Sequence, residues 1–238
     1  MSSDSITIEG RWAVEAALRS AFVRVRSVFV ENDRHSDLAE LIGEEVELIQ
    51  LSQAEMVENT GFDFHRGVYA VADRPKPREL LKEDLVSMKR LVVPFALADG
   101  GNLGTIVRTA VAFGADGIVI ARGKGTDIFS RKCIRASATG IFRVPIYEVE
   151  DLAVTLDTFR SAGGSVFGTS LEGDTTALSK VKAGDRAAII LGAEKDGFTE
   201  GIAAQCDELI HIPMRSGMDS LNVAATAAIV LHGLFGEG

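Results

Sequence analysis

Asn102 and Arg108 in "NLGTIVRTA", Glu194 in "LGAEKDGF", and Ser220, Leu221 and Asn222 in "IPMRSGMDSLNVAATAAIV" are the residues whose types and settings could do chemistry. Each stretch joins an apolar run to a helix-like pattern. In α/β proteins such junctions hold small molecules, through backbone amides at a helix start and polar turns beyond strand ends. An arginine there offers a planar fork to a phosphate, a nearby carboxylate can orient it, and asparagine brings donors and an acceptor together. Gly100, Gly101 and Gly104 read as a loop that permits close approach of a ligand, with Arg108 about one turn further on. Ser220 or Asn222 can cap the last helix and leave amides for polar ligand atoms. Taken singly, each has a plainer meaning: a solvated arginine, a surface carboxylate, a cap.

Other chemistries find less support. The glycine pattern is not GxGxxG, which argues against a nicotinamide dinucleotide. His35, His65, His211 and His232 have no metal-ligand spacing, and His211 alternates with apolar neighbours as a structural strand residue does. The two cysteines, Cys133 and Cys206, form no CxxC pair, so neither a zinc site nor a disulfide framework is expected, and a reducing compartment is. The polar start "MSSDSITIEG" is no signal peptide, and no apolar run nears the roughly 18 residues that cross a bilayer. The expectation is a cytoplasmic protein with no membrane contact.

A net charge of −9 argues against a nucleic-acid partner until its distribution is examined. Residues 1–73 hold 6 Lys+Arg against 14 Asp+Glu, which leaves 19 against 20 for the rest. Within that remainder Arg122, Lys124, Arg131, Lys132, Arg135 and Arg143 form a basic stripe whose span contains one carboxylate, Asp127. Phe129 and Phe142 are interleaved with it, a composition suited to phosphates and stacked bases, although a solvated helix face is the commoner origin of such runs.

The elements that must position these residues follow from periodicity. "ADRPKPREL" marks a linker, residues 74–82, because Pro75 and Pro77 fit neither a helix interior nor a central strand. Before it, a small α/β domain (1–73) is expected: helix in "GRWAVEAALRS", strand in "VRSVFVE", helix in "SDLAELIGEE", strand in "VELIQLS", helix in "QAEMVENTG", strand in "RGVYAVAD". After it, residues 83–238 alternate continuous apolar strands with helices, which predicts a parallel sheet covered on both faces. The alanine-rich last helix has small residues on more than one side, fit either for burial within the chain or for a dimer contact.

Together and in this order, "NLGTIVRTA", "LGAEKDGF" and "IPMRSGMDSLNVAATAAI" resemble the three motifs of the SpoU-type (TrmH-like) RNA ribose 2′-O-methyltransferases of the SPOUT superfamily. "EGRWAVEAAL" and "HRGVYAV" resemble the small RNA-binding domain that precedes the catalytic domain in many members. The proline often found just before the motif asparagine is missing here. The resemblance implies a deep C-terminal trefoil knot, S-adenosylmethionine as methyl donor, structured RNA as acceptor (rRNA ahead of tRNA), no metal, and a homodimer. It places Asn102, Arg108, Glu194, Ser220 and Asn222 at active-site positions. It places Gly192, Ile212 and Leu221 where backbone groups hold the cofactor, with Thr169, Leu171 and Met214 as wall residues. Arg122, Lys124, Arg131, Lys132 and Arg135 are the expected RNA contacts. Arg108 is assigned to the 2′-OH, as a base or as a clamp on the adjacent phosphate. An RNA-binding accessory protein that keeps the fold without methyl transfer is the alternative.

Overall fold

The computed structural model describes residues 4–32, 36–60, 66–171, 173–192, 200–215 and 220–236. The first unit contains β1 (Ser5–Glu9), α1 (Arg11–Leu18), β2 (Val25–Glu31), a 3-10 helix (Ser36–Leu41), β3 (Glu47–Leu51), α2 (Gln53–Thr60) and β4 (Val68–Asp73). Its sheet has the order β1-β4-β2-β3, with β4 antiparallel to both neighbours and β2 parallel to β3. Sequence reading passed over β1. Its Ile6 and Ile8 are buried while the residues between them are not, the alternation of a half-buried strand. The expected helix over 36–45 is a shorter 3-10 turn ending at Leu41.

The second unit contains β5 (Arg78–Glu79), α3 (Lys82–Ser87), β6 (Arg90–Phe95), α4 (Gly100–Ala112), β7 (Gly117–Ala121), α5 (Arg131–Ala136), β8 (Ile146–Val149) and α6 (Leu152–Ser161). It continues with β9 (Ser165–Thr169), β10 (Thr176–Ala177), β11 (Ala187–Gly192), α7 (Glu200–Ala203), β12 (Glu208–His211) and α8 (Val223–Phe235). Its strands form a parallel sheet in the order β10-β12-β9-β11-β6-β7-β8-β5.

The core follows from strand alternation. Val92 of β6 with Ala187, Ile189 and Leu191 of β11 joins the cluster that includes Ile106, Val107 and Ala110 of α4 and Ala227, Val230 and Leu231 of α8. Leu91 and Val93 of β6 with Ala188 and Ile190 of β11 turn to the opposite cluster, with Leu85 of α3 and Leu156 and Phe159 of α6. Each such aliphatic side chain contributes roughly 1.5–3 kcal/mol on burial. The α4 and α8 face is continuous with the first unit's core, since Ile6, Val14 and Val28 belong to the same cluster. Pro94 sits in β6 beyond its last pair with β7, so its missing N–H costs no ladder bond on that side.

The glycine-rich stretch is not a loop. Asp99 caps α4 by accepting from the Asn102 N–H at 2.8 Å, and Gly100, Gly101 and Gly104 are helical. Their small size serves helix packing: a Cβ on Gly104 would stand 2.3 Å from the Cys133 carbonyl oxygen of α5. Glu194 lies within 193–199, outside the described residues. Residues 216–219 lie outside them as well. Among the described residues no helix is long and apolar enough to cross a membrane.

Candidate active site

Strands β12, β9, β11 and β6 are adjacent and parallel, so their carboxyl ends share one edge of the sheet. In register, Thr169 lies opposite Ile210 and Gly192 opposite Phe95. The chain leaves that edge toward Asp99 and α4, toward Leu171, and, through Ile212 and Met214, toward Ser220 and α8. Thr169 Oγ donates to the Ile190 carbonyl at 3.5 Å and the Ser170 N–H to the Ile210 carbonyl at 3.0 Å, which ties the turn after β9 to both neighbouring strands. Ile212 packs against the core, Met214 and Leu221 are half-buried, and Leu171 is 55% exposed. Five of the six expected cofactor residues therefore begin or border loops at this edge, with Leu171 standing further into solvent.

Two of the motif stretches meet directly. Asn222 is the N-cap of α8: its Oδ1 accepts from the Ala224 N–H at 2.8 Å. Its Nδ2 donates to Asn102 Oδ1 at 3.0 Å. One amide thus fixes the start of α8 and joins it to the first turn of α4, leaving the Asn102 Nδ2 donors without a protein acceptor among the described residues. Ser220 is exposed just before this cap.

Arg108 lies on the same helix as Asn102, six residues further on, about 9 Å along the axis and about 120° around it. It is exposed and has no ion-pair partner among the described residues. Its backbone is held tightly, since a Cβ on Gly140 would lie 3.1 Å from Arg108 Cα.

Asp99, which the sequence reading did not single out, holds the Asn102 amide as the N-cap of α4, although an aspartate three residues before a helical amide is a recognisable capping signal. It also pairs with Lys132 of α5. The Lys132 ammonium, and then the Asn102 amide, hold its carboxyl below the usual range. Burial pushes the Cys133 and Cys206 thiols up to about 12, so neither supplies a thiolate near neutral pH.

The basic stripe is largely paired in space. Arg131 Nε donates to Glu9 Oε1 at 2.6 Å, and Arg135 Nε lies 3.9 Å from the other oxygen of that carboxylate. Arg122 pairs with Glu148 at 2.7 Å and also with Glu150. Lys124 is exposed and lines a cleft of about 840 Å³ that also has Arg74, Lys76 and Asp127 in its walls. The charge of four of the stripe's six cations is therefore offset by carboxylates remote in sequence. Phe129 and Phe142 do not offer stacking faces, because both are buried core residues. His211 accepts from or donates to Thr175 Oγ at 2.9 Å through Nδ1.

Comparison with known proteins gives this geometry its context. The profile of the SpoU rRNA Methylase family matches residues 89–232. An uncharacterized tRNA/rRNA methyltransferase of Mycobacterium avium is 30% identical over 191 residues, covering 78% of this chain, and the chain spans 61% of that relative's length. The 23S rRNA (guanosine(2553)-2′-O)-methyltransferase RlmP of Bacillus subtilis is 28% identical over 236 residues, covering 98% of this chain and 90% of its own. An AdoMet-bound rRNA methyltransferase from Sinorhizobium meliloti shares the fold, with a TM-score of 0.82 at 24% identity over 97% of this chain and 87% of that one. The matched segment is more than half of the chain and holds all three motif stretches, two of them joined at Asn102 and Asn222 on the carboxyl edge of the parallel sheet; the chain belongs to the SpoU rRNA methylase family.

Proposed function

We propose that the chain transfers a methyl group from S-adenosylmethionine to the ribose 2′-OH of a nucleotide in structured RNA, with rRNA ahead of tRNA as the substrate class. The observation that carries this reading is the hydrogen bond from Asn222 to Asn102, which unites the first and third motif stretches beside the strand ends where ligands of parallel sheets bind. The edge suits the cofactor. In this reading Gly192, Ile212 and Leu221 bond the adenine through backbone groups, and Thr169, Leu171 and Met214 wall it. When bound, S-adenosylmethionine supplies an electrophilic methyl group on a sulfonium.

The protein's own contribution is alignment. Holding the hydroxyl in line with the methyl removes translational freedom before reaction, an effect that can supply several kcal/mol of a barrier. Asn102, Ser220 and Asn222 position the ribose. Arg108 clamps the phosphate beside the 2′-OH, since a guanidinium keeps its proton in the neutral range and is a poor base; Glu194 orients it. Residues 1–73 act as an RNA-reading domain joined through 74–82 to the catalytic domain 83–238. Arg122, Lys124, Arg131, Lys132 and Arg135 contact RNA, and the outer face of α8, where Ile229 is 42% exposed, packs against a second copy.

The test is transfer of label from methyl-labelled S-adenosylmethionine to rRNA and tRNA taken from cells lacking the gene, followed by mapping of 2′-O-methyl sites. Arg108→Ala should abolish transfer while changing S-adenosylmethionine affinity no more than a few-fold. Cofactor binding by the wild type with no label passed to either RNA would instead make the protein an accessory RNA binder.

A further inference from the structure

The first unit carries a net charge of −8 over residues 1–73, which repels a phosphate backbone. Whatever it contributes to RNA recognition must therefore rest on something other than charge. Among its described residues one group is conspicuous on the surface. Trp12, the only tryptophan in the chain, is 74% exposed in the first turn of α1. That helix turns Val14 and Ala17 into the core; Trp12 takes no part in holding it there. A large indole left in water has no folding benefit, and its π-face is the kind of surface on which a nucleobase stacks.

The position of Trp12 is fixed relative to the candidate active site by contacts at both ends of α1. Just before the helix, Glu9 is 5% exposed and holds Arg131 and Arg135 of α5. Three Cα steps separate Glu9 from Trp12, so their Cα atoms are at most about 11 Å apart. Just after the helix, Ser20 Oγ donates to the Phe142 carbonyl at 2.7 Å. The Gly140–Phe142 turn is the segment that packs on α4 at Arg108. The residues flanking α1 thus reach α5 through Glu9 and the Gly140–Phe142 turn through Ser20; α5 carries Arg131, Lys132 and Arg135, and the turn packs on α4 at Arg108. The arginines paired to Glu9 keep about half of their side-chain surface exposed. An exposed neutral aromatic on a unit whose Glu9 holds two half-exposed arginines of α5 suits unpaired nucleotides, with phosphates on the cations and a base on the ring.

We infer that Trp12 is a positioning residue that stacks on an unpaired base flanking the methylated nucleotide, so that the acidic unit reads RNA by base contact and leaves phosphate contact to α4 and α5. The inference rests on the RNA methyltransferase reading above. It explains how a unit of the wrong sign can share an RNA surface, because stacking is insensitive to the unit's net charge.

The single tryptophan reports on itself. Titrating the full-length protein with deproteinised rRNA from cells lacking the gene should quench its emission and protect it from acrylamide. Trp12→Ala should weaken affinity for that rRNA about 5- to 150-fold and raise KM for RNA, with KM for S-adenosylmethionine within two-fold of wild type. Trp12→Phe should recover most of the loss and Trp12→Leu little of it, a difference that a merely apolar contact would not produce. Because the side chain is exposed, circular dichroism and Tm should be unchanged in all three. Unaltered emission at saturating rRNA together with wild-type affinity in Trp12→Ala would overturn the inference while leaving methyl transfer intact. Emission that shifts to the blue with protein concentration in the absence of RNA would overturn it too, assigning Trp12 to a contact between copies. Absence of transfer by the wild type would defeat the proposed activity, and the quenching titration would still decide the stacking.

Discussion

Gly104→Ala tests whether the glycines around Asn102 serve a ligand or a helix contact. The added methyl would sit 2.3 Å from the Cys133 carbonyl oxygen, 2.7 Å from Ala136 Cβ and 2.9 Å from the Ser137 nitrogen. Two of those atoms belong to the backbone of α5 and its end, so no rotamer change relieves the overlap. Helices α4 and α5 must separate by about 1 Å before the carbonyl contact becomes an ordinary one, and overpacking of this kind costs roughly 1–3 kcal/mol. Alanine's better helix propensity offsets about 0.8–1.0 kcal/mol of that. The net expectation is up to about 2 kcal/mol of destabilisation, or as much as about 8 °C in Tm for a chain of this size. Function should suffer more than stability. The same displacement moves Asn102 away from Asn222 and Lys132 away from Asp99, and misplacement by about 1 Å can cost on the order of a hundredfold in rate. Calorimetry and methyl transfer should be compared with Gly43→Ala, where a Cβ would meet nothing within 4 Å and neither quantity should change. A Gly104→Ala protein as stable and active as wild type would refute the close packing of α4 on α5, and with it the view that this glycine is spacing helices.

Asn102→Ala and Asn222→Ala should be non-additive in thermal or denaturant unfolding, with a coupling of about 0.5–1.5 kcal/mol for the hydrogen bond they share; Asn222→Ala should lose roughly a further 1 kcal/mol with the α8 cap, and independent effects would remove the link between the two stretches. Neutralising Arg131, Lys132 and Arg135 together should weaken RNA binding and flatten the slope of log affinity against log salt, by roughly 0.7–0.9 for each phosphate that no longer meets a cation, with S-adenosylmethionine affinity unchanged in the folded protein and a lower Tm because Glu9 loses both counter-charges. An unchanged slope would move the phosphate-binding surface to the cleft lined by Lys124, Arg74 and Lys76.

Much of the architecture could be read from local pattern. The run Val25–Glu31 and the helix Gln53–Thr60 are found where their apolar spacing puts them, and the apolar runs of β6, β9 and β11 do form one parallel sheet. What escaped has identifiable causes. The polar composition of the first residues masked the Ile6/Ile8 alternation of β1. Three glycines near Asn102 suggested a loop, because glycine's usual meaning is backbone freedom, whereas here Asp99 starts a helix and the glycines let α5 approach it. The charge run 131–135 hid a short helix whose Cys133 and Ile134 are buried. Phe129 and Phe142, offered by sequence as stacking faces, are needed in the core, while Trp12, read from sequence only as part of a helix, stands exposed. The candidate site was legible as three stretches, and the bond that joins two of them spans 120 residues, beyond the reach of any periodicity.

The same long-range pairing bears on how an acidic chain handles an anionic substrate. In sequence the stripe looks like an unbalanced positive field. In the folded chain Glu9, Asp99, Glu148 and Glu150 stand against it. These partners act unequally. Asp99, Glu150 and the cations are substantially exposed, so water and salt screen their attraction and a phosphate can compete for Lys132 or Arg122 at little cost. Glu9 is nearly enclosed, and drawing both Arg131 and Arg135 away would leave a buried carboxylate without a counter-charge, which is strongly unfavourable. A phosphate on α5 is therefore expected to meet Lys132, whose partner Asp99 is exposed, more readily than to replace Glu9 on Arg131 and Arg135. Glu9 then works as an anchor that orients two forks toward the RNA side while setting the first unit, and Trp12 with it, against α5.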